Sequence, residues 1–505
     1  MTGDNDRAMR ELATNANRFM KWVHQNGAAT ESRTEIQRML QQRLGDGAAQ
    51  SVVSRNLPLM EQVNLQVALD AWMRQDGRTV DVHGIFVPKH HGSADLTGLI
   101  TGTGSPVQLV APAMTDLPDG PSSTRACFTR ALLLVSDADG DYALFVTTGE
   151  HEPVLELEIA GLSVAKAQAV FASLDALRDE LNVYRGQLVQ AHAQPMGGIR
   201  LGFLDPTPMD REQLILPDDI LSRIEGQALD VAAHSAALRR AGQHLKRGIL
   251  LYGPPGTGKT HTVRYLLGRL PRYTRLLLQG AALHGIGPAT EMARKLAPAV
   301  VVLEDVDLVA RDRSFGSGDN PILFELLDAM DGAAADSDLM FLLTTNRVEV
   351  LEEALVARPG RIDVAVHIDR PDAQARAQLF RLYAANAPLE VTTKLADEVS
   401  EATEGVTASF LKELVRRSVL TAAQRDSSLP SVSADDVRSA LADLLDSSQG
   451  VTRALLGAGD EHIRDSDDEV QEEHFPGVQN LDGRARFGGE PGGAGWFAYA
   501  PDSDC

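Results

Sequence analysis

The chain has 505 residues, 43% hydrophobic and 23% charged, which is ordinary globular usage and excludes a small binding module, a fibrous protein or a wholly disordered one. Its 48 Lys and Arg stand against 70 Asp and Glu, and the net charge of −22 disfavours nucleic-acid binding through general electrostatics. Cys127 and Cys505 are too few and too far apart in sequence for a disulfide framework, which favours a reducing compartment.

The amino-terminal residues lack the basic region followed by an apolar region that marks a signal peptide. No run approaches the length of a membrane span, because the strongest apolar segments, such as 299–303 and 339–344, have the length of strands. We therefore expect a cytoplasmic protein without a membrane span.

The first 204 residues contain two patterns. Residues 1–78 carry apolar positions at helical spacing and predict a small helical region. Residues 79–204 change to short β-rich runs with one amphipathic helix from Ser163, which predicts a separate α+β domain. We expect this N-terminal region to bind a partner.

The remaining chain divides into four segments. The prolines at Asp205–Pro208 predict a linker over 205–215. Apolar strand-like runs alternate with helical patterns over 216–370, which predicts an α/β fold with a parallel sheet, and residues 371–445 predict a helical lid. Residues 446–505 hold 4 Arg and no Lys against 13 Asp or Glu, so we expect a largely disordered acidic tail.

A phosphate-binding loop is the strongest motif in the sequence. The segment GPPGTGKT follows an apolar strand, Ile249–Tyr252, and precedes a helical run, which is the strand, loop and helix context that a P-loop requires. Glycines let backbone N–H groups turn towards phosphate, the lysine supplies a cation to the β and γ oxygens, and the final threonine supplies a hydroxyl to Mg²⁺. The predicted nucleotide-binding residues are Gly253, Pro254, Pro255, Gly256, Thr257, Gly258, Lys259, Thr260 and His261.

Two carboxylates end the next strongly apolar run. Glu304 and Asp305 follow five apolar residues, 299–303, and therefore lie where α/β sheets bind ligands. A P-loop needs an acidic partner there to hold Mg²⁺ and to orient the attacking water. We assign Glu304, with Thr260, to Mg²⁺ and Asp305 to the water.

With these motifs, residues 214–445 resemble the AAA ATPases. The family has GPPGTGKT as its Walker A motif, a hydrophobic run with two acids as Walker B, and a strand ending in Asn, matched here by Asn346. The segment RPGRID resembles the family's second region of homology, which implies that Arg358 and Arg361 act on the nucleotide of a neighbouring subunit. By resemblance, Ala408 and Ser409 contact adenine, and the active form is a ring, expected to be a hexamer.

The resemblance has two departures. The Walker B acids occur in the order Glu304-Asp305 rather than Asp-Glu, so the base that orients water is one methylene shorter. The segment from Leu283 lacks the aromatic-hydrophobic-Gly signature with which many AAA unfoldases grip a threaded chain, and His284 and Ile286 are the nearest candidates. The sequence therefore gives no ground to assume processive threading, and it leaves open whether a polypeptide is threaded.

Two other clusters favour structural interpretations. His83, His90, His91 and Asp95 show no metalloprotease spacing, and the HExxH motif of the family's protease-fused members is absent from the sequence. Asp137, Asp139 and Asp141 imitate the start of a calcium loop, but Tyr142 and Thr148 occupy the positions that need Gly and Glu. The second cluster predicts a hairpin turn.

The sequence therefore predicts a Mg²⁺-dependent ATPase whose ring remodels a protein partner bound by the N-terminal region. The alternative is a nucleotide-gated scaffold that binds ATP with slow or absent hydrolysis. The reversed acids and missing pore aromatic favour the alternative, whereas Asn346, Arg358 and Arg361 favour catalysis. A nucleic-acid loader would need a basic surface, which the net charge does not favour.

Overall fold

The computed structural model of the chain contains two seven-stranded sheets and a C-terminal group of helices. It describes residues 28–45, 51–88, 94–103, 107–149, 154–195, 197–205, 209–307, 337–348, 361–426 and 431–445, with single residues at 18, 47, 328, 330 and 428. The predicted acidic tail, 446–505, lies outside the described residues.

The first sheet is antiparallel, with strand order β1-β7-β6-β5-β2-β3 and β4 also paired to β5. Its elements are α1 (Ala28–Leu44), β1 (Val53–Pro58), α2 (Gln62–Met73), β2 (Thr79–Phe86), α3 (Leu96–Thr101), β3 (Gln108–Val110), β4 (Ala113–Pro118), β5 (Thr124–Asp137), β6 (Gly140–Thr148), β7 (Val154–Ala160) and α4 (Val164–Glu180). Helices α2 and α4 pack on one face and α1 and α3 on the other. Strand β6 is consequently buried over 142–147, because both of its faces are covered.

The N-terminal 78 residues differ from the separate helical region that the sequence predicts. Strand β1 lies within them and pairs antiparallel with β7, from Val53 opposite Ile159 to Pro58 opposite Val154. Trp72 of α2 is fully buried against this sheet. The described part of 1–78 thus belongs to the same α+β unit as the strands that follow, since its apolar side chains need that sheet for burial. The predicted hairpin turn at Asp137–Gly140 is confirmed, between β5 and β6.

The second sheet is parallel except for its last strand, in the order β14-β10-β13-β12-β11-β8-β9. Its elements are β8 (Leu188–Ala193), β9 (Ile199–Phe203), α5 (Asp218–Glu225), a π-helical turn (Gly226–Asp230), α6 (Val231–Ala233), α7 (Ser235–Arg240), β10 (Arg247–Tyr252), α8 (Lys259–Arg269), β11 (Thr274–Gln279), α9 (Ile286–Lys295), β12 (Ala299–Glu304), β13 (Leu339–Thr345) and β14 (Val364–His367). Every residue of β12 is buried, as expected for a central parallel strand. The predicted α/β fold with a parallel sheet is confirmed.

The boundary predicted at 205–215 differs from the connectivity of the sheets. Strands β8 and β9 form a hairpin that adds to the second sheet, with Val189 opposite Leu276 of β11. Ile199 supplies apolar surface to the cluster that contains Leu276. Leu214, inside the predicted linker, is 4% exposed and packs on the opposite face of the sheet. The second sheet therefore includes the chain from residue 188, ahead of the predicted linker.

Four helices follow the second sheet: α10 (Ala373–Ala384), α11 (Thr393–Ala402), α12 (Ala408–Arg425) and α13 (Ala434–Leu445). Asp372 caps α10 by accepting the Ala375 N–H at 2.8 Å. Phe380 and Phe410 are fully buried in the helices' own apolar cluster. This core fixes α12, whose first residues lie beside the P-loop.

Candidate nucleotide site

The P-loop lies between the end of β10 and the start of α8, as the sequence predicts. Gly256 and Gly258 have φ angles of +78° and +110°, a conformation that residues with a Cβ rarely adopt. Lys259 donates from Nζ to the carbonyl oxygens of Gly253 and Pro254, both at 2.8 Å. The ammonium group of Lys259 is therefore bound by the backbone of its own loop.

Lys259 is 6% exposed, and its charge is correspondingly costly. Burial lowers the pKa of Lys259 to about 8, although the carboxylates of Asp305 and Asp307 act in the opposite direction. A bound polyphosphate would favour the ammonium form again, because an opposite charge nearby stabilises it.

Glu304 closes β12 and is 5% exposed. Burial raises its pKa, while the Thr260 hydroxyl and the Gln279 amide lower it. Gln279 donates from Nε2 to Oε2 of Glu304, whereas Oε1 is buried and has no hydrogen-bond partner among the described residues. Gln279 thus fixes one oxygen of this carboxylate, and the group also interacts with the Thr260 hydroxyl.

Asp305 adopts a left-handed conformation, with φ of +51°, immediately after the strand. Its backbone N–H donates to Oγ1 of Thr344 at 3.0 Å, and its Oδ1 accepts from Nδ2 of Asn346 at 3.2 Å. Residues with a Cβ adopt this conformation at a cost, which the surrounding contacts must offset. Asp305, which we assign to the attacking water, therefore meets Asn346 at the ends of β12 and β13.

Asp307 is a buried carboxylate near the site that the sequence reasoning did not assign. It is 5% exposed, and its Oδ1 accepts from Thr345 Oγ1 at 2.9 Å and from the Asn346 N–H at 3.0 Å. It thereby fixes the turn that carries Asn346. Its position two residues after the Walker B acids was the available signal.

Lys259, Asp305 and Asn346 line one cleft of about 350 Å³, whereas Gly253, Pro254 and Glu304 are not among its lining residues. Of the residues expected from the sequence, it is lined by Pro255, Gly256, Thr257, Gly258, Lys259, Thr260, His261, Asp305, Asn346, Ala408 and Ser409. The Ser409 N–H donates to the Gly256 carbonyl at 3.3 Å, so the start of α12 contacts the phosphate loop directly. The cleft also has walls that the sequence reasoning missed: Gln213, Leu214, Ile215, Leu216, Leu379, Tyr383 and Lys412.

The two arginines expected to act on a neighbouring subunit differ in what the structure shows. Arg358 lies outside the described residues. Arg361 is described and is 5% exposed within its own chain. A guanidinium that reaches another subunit has to be accessible at the surface, so this arrangement does not present Arg361 for that role, and the role stays a prediction.

The segment after β11 is packed rather than projecting. Leu283 and Ile286 are 3% and 1% exposed, and a Cβ at Gly285 would lie 2.6 Å from Cγ2 of Ile199 on β9. His284 is exposed, but Ile286 is not accessible to grip a peptide. Ile199 of the β8–β9 hairpin thus packs directly against Gly285 in this segment.

Comparison with known proteins identifies the nucleotide-binding part of the chain. Residues 249–370 match the model of the ATPase family associated with various cellular activities (AAA). They form an AAA ATPase domain. The match includes the Walker A motif, both Walker B acids, Asn346 and the two arginines, and it confirms the resemblance, the fold class and the enzyme class at the level of this domain.

Curated relatives of the chain include FtsH proteases. The chain is 31% identical over 233 residues to the ATP-dependent zinc metalloprotease FtsH 3 of Symbiobacterium thermophilum, covering 43% of this chain and 37% of the relative. It is 35% identical over 199 residues to an FtsH of Marinobacter nauticus, covering 37% and 31%, and 33% identical over 213 residues to the chloroplastic FTSH 1 of Arabidopsis thaliana, covering 40% and 32%. The chain thus spans about a third of the length of these relatives.

These comparisons correct the expected location. The prediction of a cytoplasmic protein is wrong, because the FtsH relatives are membrane-anchored. Within the ranges that the structure describes, no helix is both long enough and apolar enough to cross a bilayer. Nor do those ranges contain three or more His, Cys, Asp or Glu grouped so as to hold a metal ion.

Proposed function

We propose that this chain binds ATP with Mg²⁺ in the described cleft, hydrolyses it as part of an oligomeric ring, and uses the reaction to remodel a protein partner. The observation that carries the proposal is the convergence of Lys259, Asp305 and Asn346 on one cleft from the ends of three neighbouring strands. Chain segments distant in sequence meet there in the arrangement that phosphoryl transfer to water requires.

The chemistry follows from the side chains present. The Lys259 ammonium neutralises charge on the phosphates, and exchanges its two carbonyl contacts for phosphate oxygens on binding. Asp305, held by Asn346, accepts a hydrogen bond from water and orients it towards the γ-phosphorus. The water oxygen forms a bond to phosphorus as the bond to the β–γ bridging oxygen breaks and a proton of the water passes to Asp305, which yields ADP and phosphate.

The residues present also fit Mg²⁺. This cation prefers oxygen ligands. The Thr260 hydroxyl, which lines the cleft, and the Glu304 carboxylate, whose pKa that hydroxyl lowers, supply them. The buried Oε1 of Glu304, without a hydrogen-bond partner among the described residues, is consistent with a cation as its partner. When bound, Mg²⁺ would neutralise charge on the β and γ oxygens.

Remodelling is proposed to act through the N-terminal region. The buried Leu283 and Ile286 provide no grip for a threaded chain, so the partner is expected to bind residues 1–204, and the ring is expected to be a hexamer in which Arg358 completes the neighbouring site. The relatives are ATP-dependent zinc metalloproteases by name. From these relatives we transfer to this chain only the ATP-driven action on a protein. We do not propose that this chain is a protease.

A nucleotide-gated scaffold remains the second candidate. The shorter acid at the water position and the burial of Arg361 favour it, because both would slow hydrolysis without preventing ATP binding. In this case ATP would assemble the ring, and turnover would be slow or absent.

ATP turnover per subunit, measured over a series of protein concentrations with Mg²⁺, separates the two candidates. A motor should show turnover that rises cooperatively with concentration, and Asp305→Asn and Arg358→Ala should each lower it about 100-fold or more, because they remove the water-orienting acid and the neighbour's cation. Asp139→Asn is the matched control, since this carboxylate lies exposed in the β5–β6 turn. Turnover no higher than in Asp305→Asn, with ATP still bound, would contradict the motor and support the scaffold.

A further inference from the structure

Gln279, at the end of β11, contacts the acid assigned to Mg²⁺. It is the register partner of Glu304 in the parallel β11–β12 pair, so the two side chains leave the sheet side by side. Its Nε2 donates to Oε2 of Glu304. Its Oε1 accepts from Nε2 of Gln190 on β8 at 3.5 Å. The amide is therefore contacted at both ends.

The contacts define which oxygen of Glu304 is engaged. An ionised carboxylate can only accept hydrogen bonds, so Glu304 requires the NH₂ group of the Gln279 amide. The carbonyl oxygen of the same amide faces Gln190. Oε2 is satisfied in this way. Oε1 has no hydrogen-bond partner among the described residues, and Glu304 is only 5% exposed. Burial of an acceptor without a partner costs free energy unless a ligand reaches the atom.

We propose that Gln279 is the positioning residue of the Mg²⁺ site: it holds Oε2 of Glu304 and thereby directs Oε1 to the cation. This inference rests on the proposed function. Glutamate has one more rotatable bond than the aspartate that usually stands at this position of the family, and the Gln279 contact removes that extra freedom. The Gln279–Glu304 pair thus adapts the reversed acid order to metal binding.

The test measures binding of Mg²⁺ rather than hydrolysis. A fluorescent, non-hydrolysable ATP analogue is titrated onto the full chain at a series of Mg²⁺ concentrations and, separately, in EDTA. Gln279→Met keeps the length of the side chain and removes the hydrogen-bond donor. It should raise the Mg²⁺ concentration that gives half-maximal binding of the analogue about 10-fold. Loss of a group that orients a metal ligand typically weakens metal binding by about 10-fold to 100-fold, and we expect the lower value. Affinity in EDTA should not change, because Gln279 is not among the cleft-lining residues.

Matched variants separate positioning from a structural role. Gln243→Met changes an exposed glutamine that bonds only the nearby Ala241 carbonyl, and it should leave both titrations unchanged. Gln279→Asn, too short to reach Glu304, should shift the Mg²⁺ titration as Gln279→Met does. Combined with Glu304→Asp, Gln279→Met should cost less than the product of the two single losses, because both remove the same contact. Thermal unfolding confirms that each variant is folded.

An unchanged Mg²⁺ titration in folded Gln279→Met or Gln279→Asn overturns the inference, as does an equal loss of affinity with Mg²⁺ and in EDTA. Failure of the proposed function looks different. A wild-type chain that binds the analogue in a Mg²⁺-dependent way but does not turn over ATP would reject the motor, and the Gln279 shift could still be measured and would still support the positioning role.

Discussion

At the scale of single residues, Lys259 provides a prediction about pH. Its pKa in the free protein is lowered to about 8 by burial, and bound phosphate favours its ammonium form. Nucleotide affinity should therefore fall as the pH rises past about 8, and binding at pH values above this should take up about one proton. Calorimetry in two buffers of different ionisation enthalpy measures the proton uptake.

Lys259→Arg should abolish the proton uptake because a guanidinium stays protonated. Lys166→Arg, on the exposed surface, should retain the uptake. Equal uptake in Lys259→Arg would assign the proton to another group.

The residues of the cleft show which site features a sequence can predict. Lys259, Thr260 and Asp305 could be placed because contiguous motifs fix their position relative to a strand end. Gln279 could not, since its contact with Glu304 depends on the register between two strands and not on a spacing in sequence. Tyr383 and Leu379 were missed for a related reason: they line the cleft only because the helical lid folds back over the sheet.

At the scale of secondary-structure elements, the β8–β9 hairpin fixes the segment that precedes α9. A Cβ at Gly285 would meet three side-chain atoms of Ile199, which is β-branched and 4% exposed, so it cannot move aside easily. Gly285→Ala should lower the free energy of unfolding by about 1–3 kcal/mol, the usual cost of overpacking. Denaturant unfolding measures the loss. Gly268→Ala in α8 is the control: an added Cβ there would have no neighbouring atom within 4 Å, so this change should be neutral or stabilising. In the background of Ile199→Ala the Gly285→Ala loss should shrink, and an undiminished loss would refute the contact.

The position of this hairpin explains why the domain boundary could not be read from the sequence. Prolines at 206 and 208 and the helical pattern after residue 216 pointed to a boundary there, and the apolar runs of β8 and β9 are compatible with either sheet. The sheet that β8 and β9 join depends on the long-range pairing of Val189 with Leu276, and composition does not encode that pairing. The central strands β10, β12 and β13 were predictable because each is a continuous apolar run that ends at a motif.

At the scale of the whole molecule, the N-terminal sheet and the ATPase sheet share one apolar cluster, which contains Met60 and Val63 from the first unit and Val189 and Leu276 from the second. The backbone N–H of Val183 also donates to Oδ1 of Asn64 at 3.0 Å. Units joined in this way should unfold together, so a ligand of one should stabilise both. Trp72 is a buried reporter of the first unit, and Trp22→Phe with Trp496→Phe leaves it as the only tryptophan.

Mg²⁺-ATP at about 100 times its dissociation constant should then stabilise the environment of Trp72 by about 2.7 kcal/mol, the same amount as the ATPase unit that binds it. Thermal unfolding followed by Trp72 fluorescence and by circular dichroism should give coincident transitions, and both should shift with nucleotide. Lys259→Ala is the control, because it removes the nucleotide effect without touching the shared cluster. A Trp72 transition that stays in place while the other shifts would show that the two units are uncoupled. Coincident shifts would mean that the nucleotide state reaches the proposed partner-binding region through packed side chains, as remodelling without threading requires.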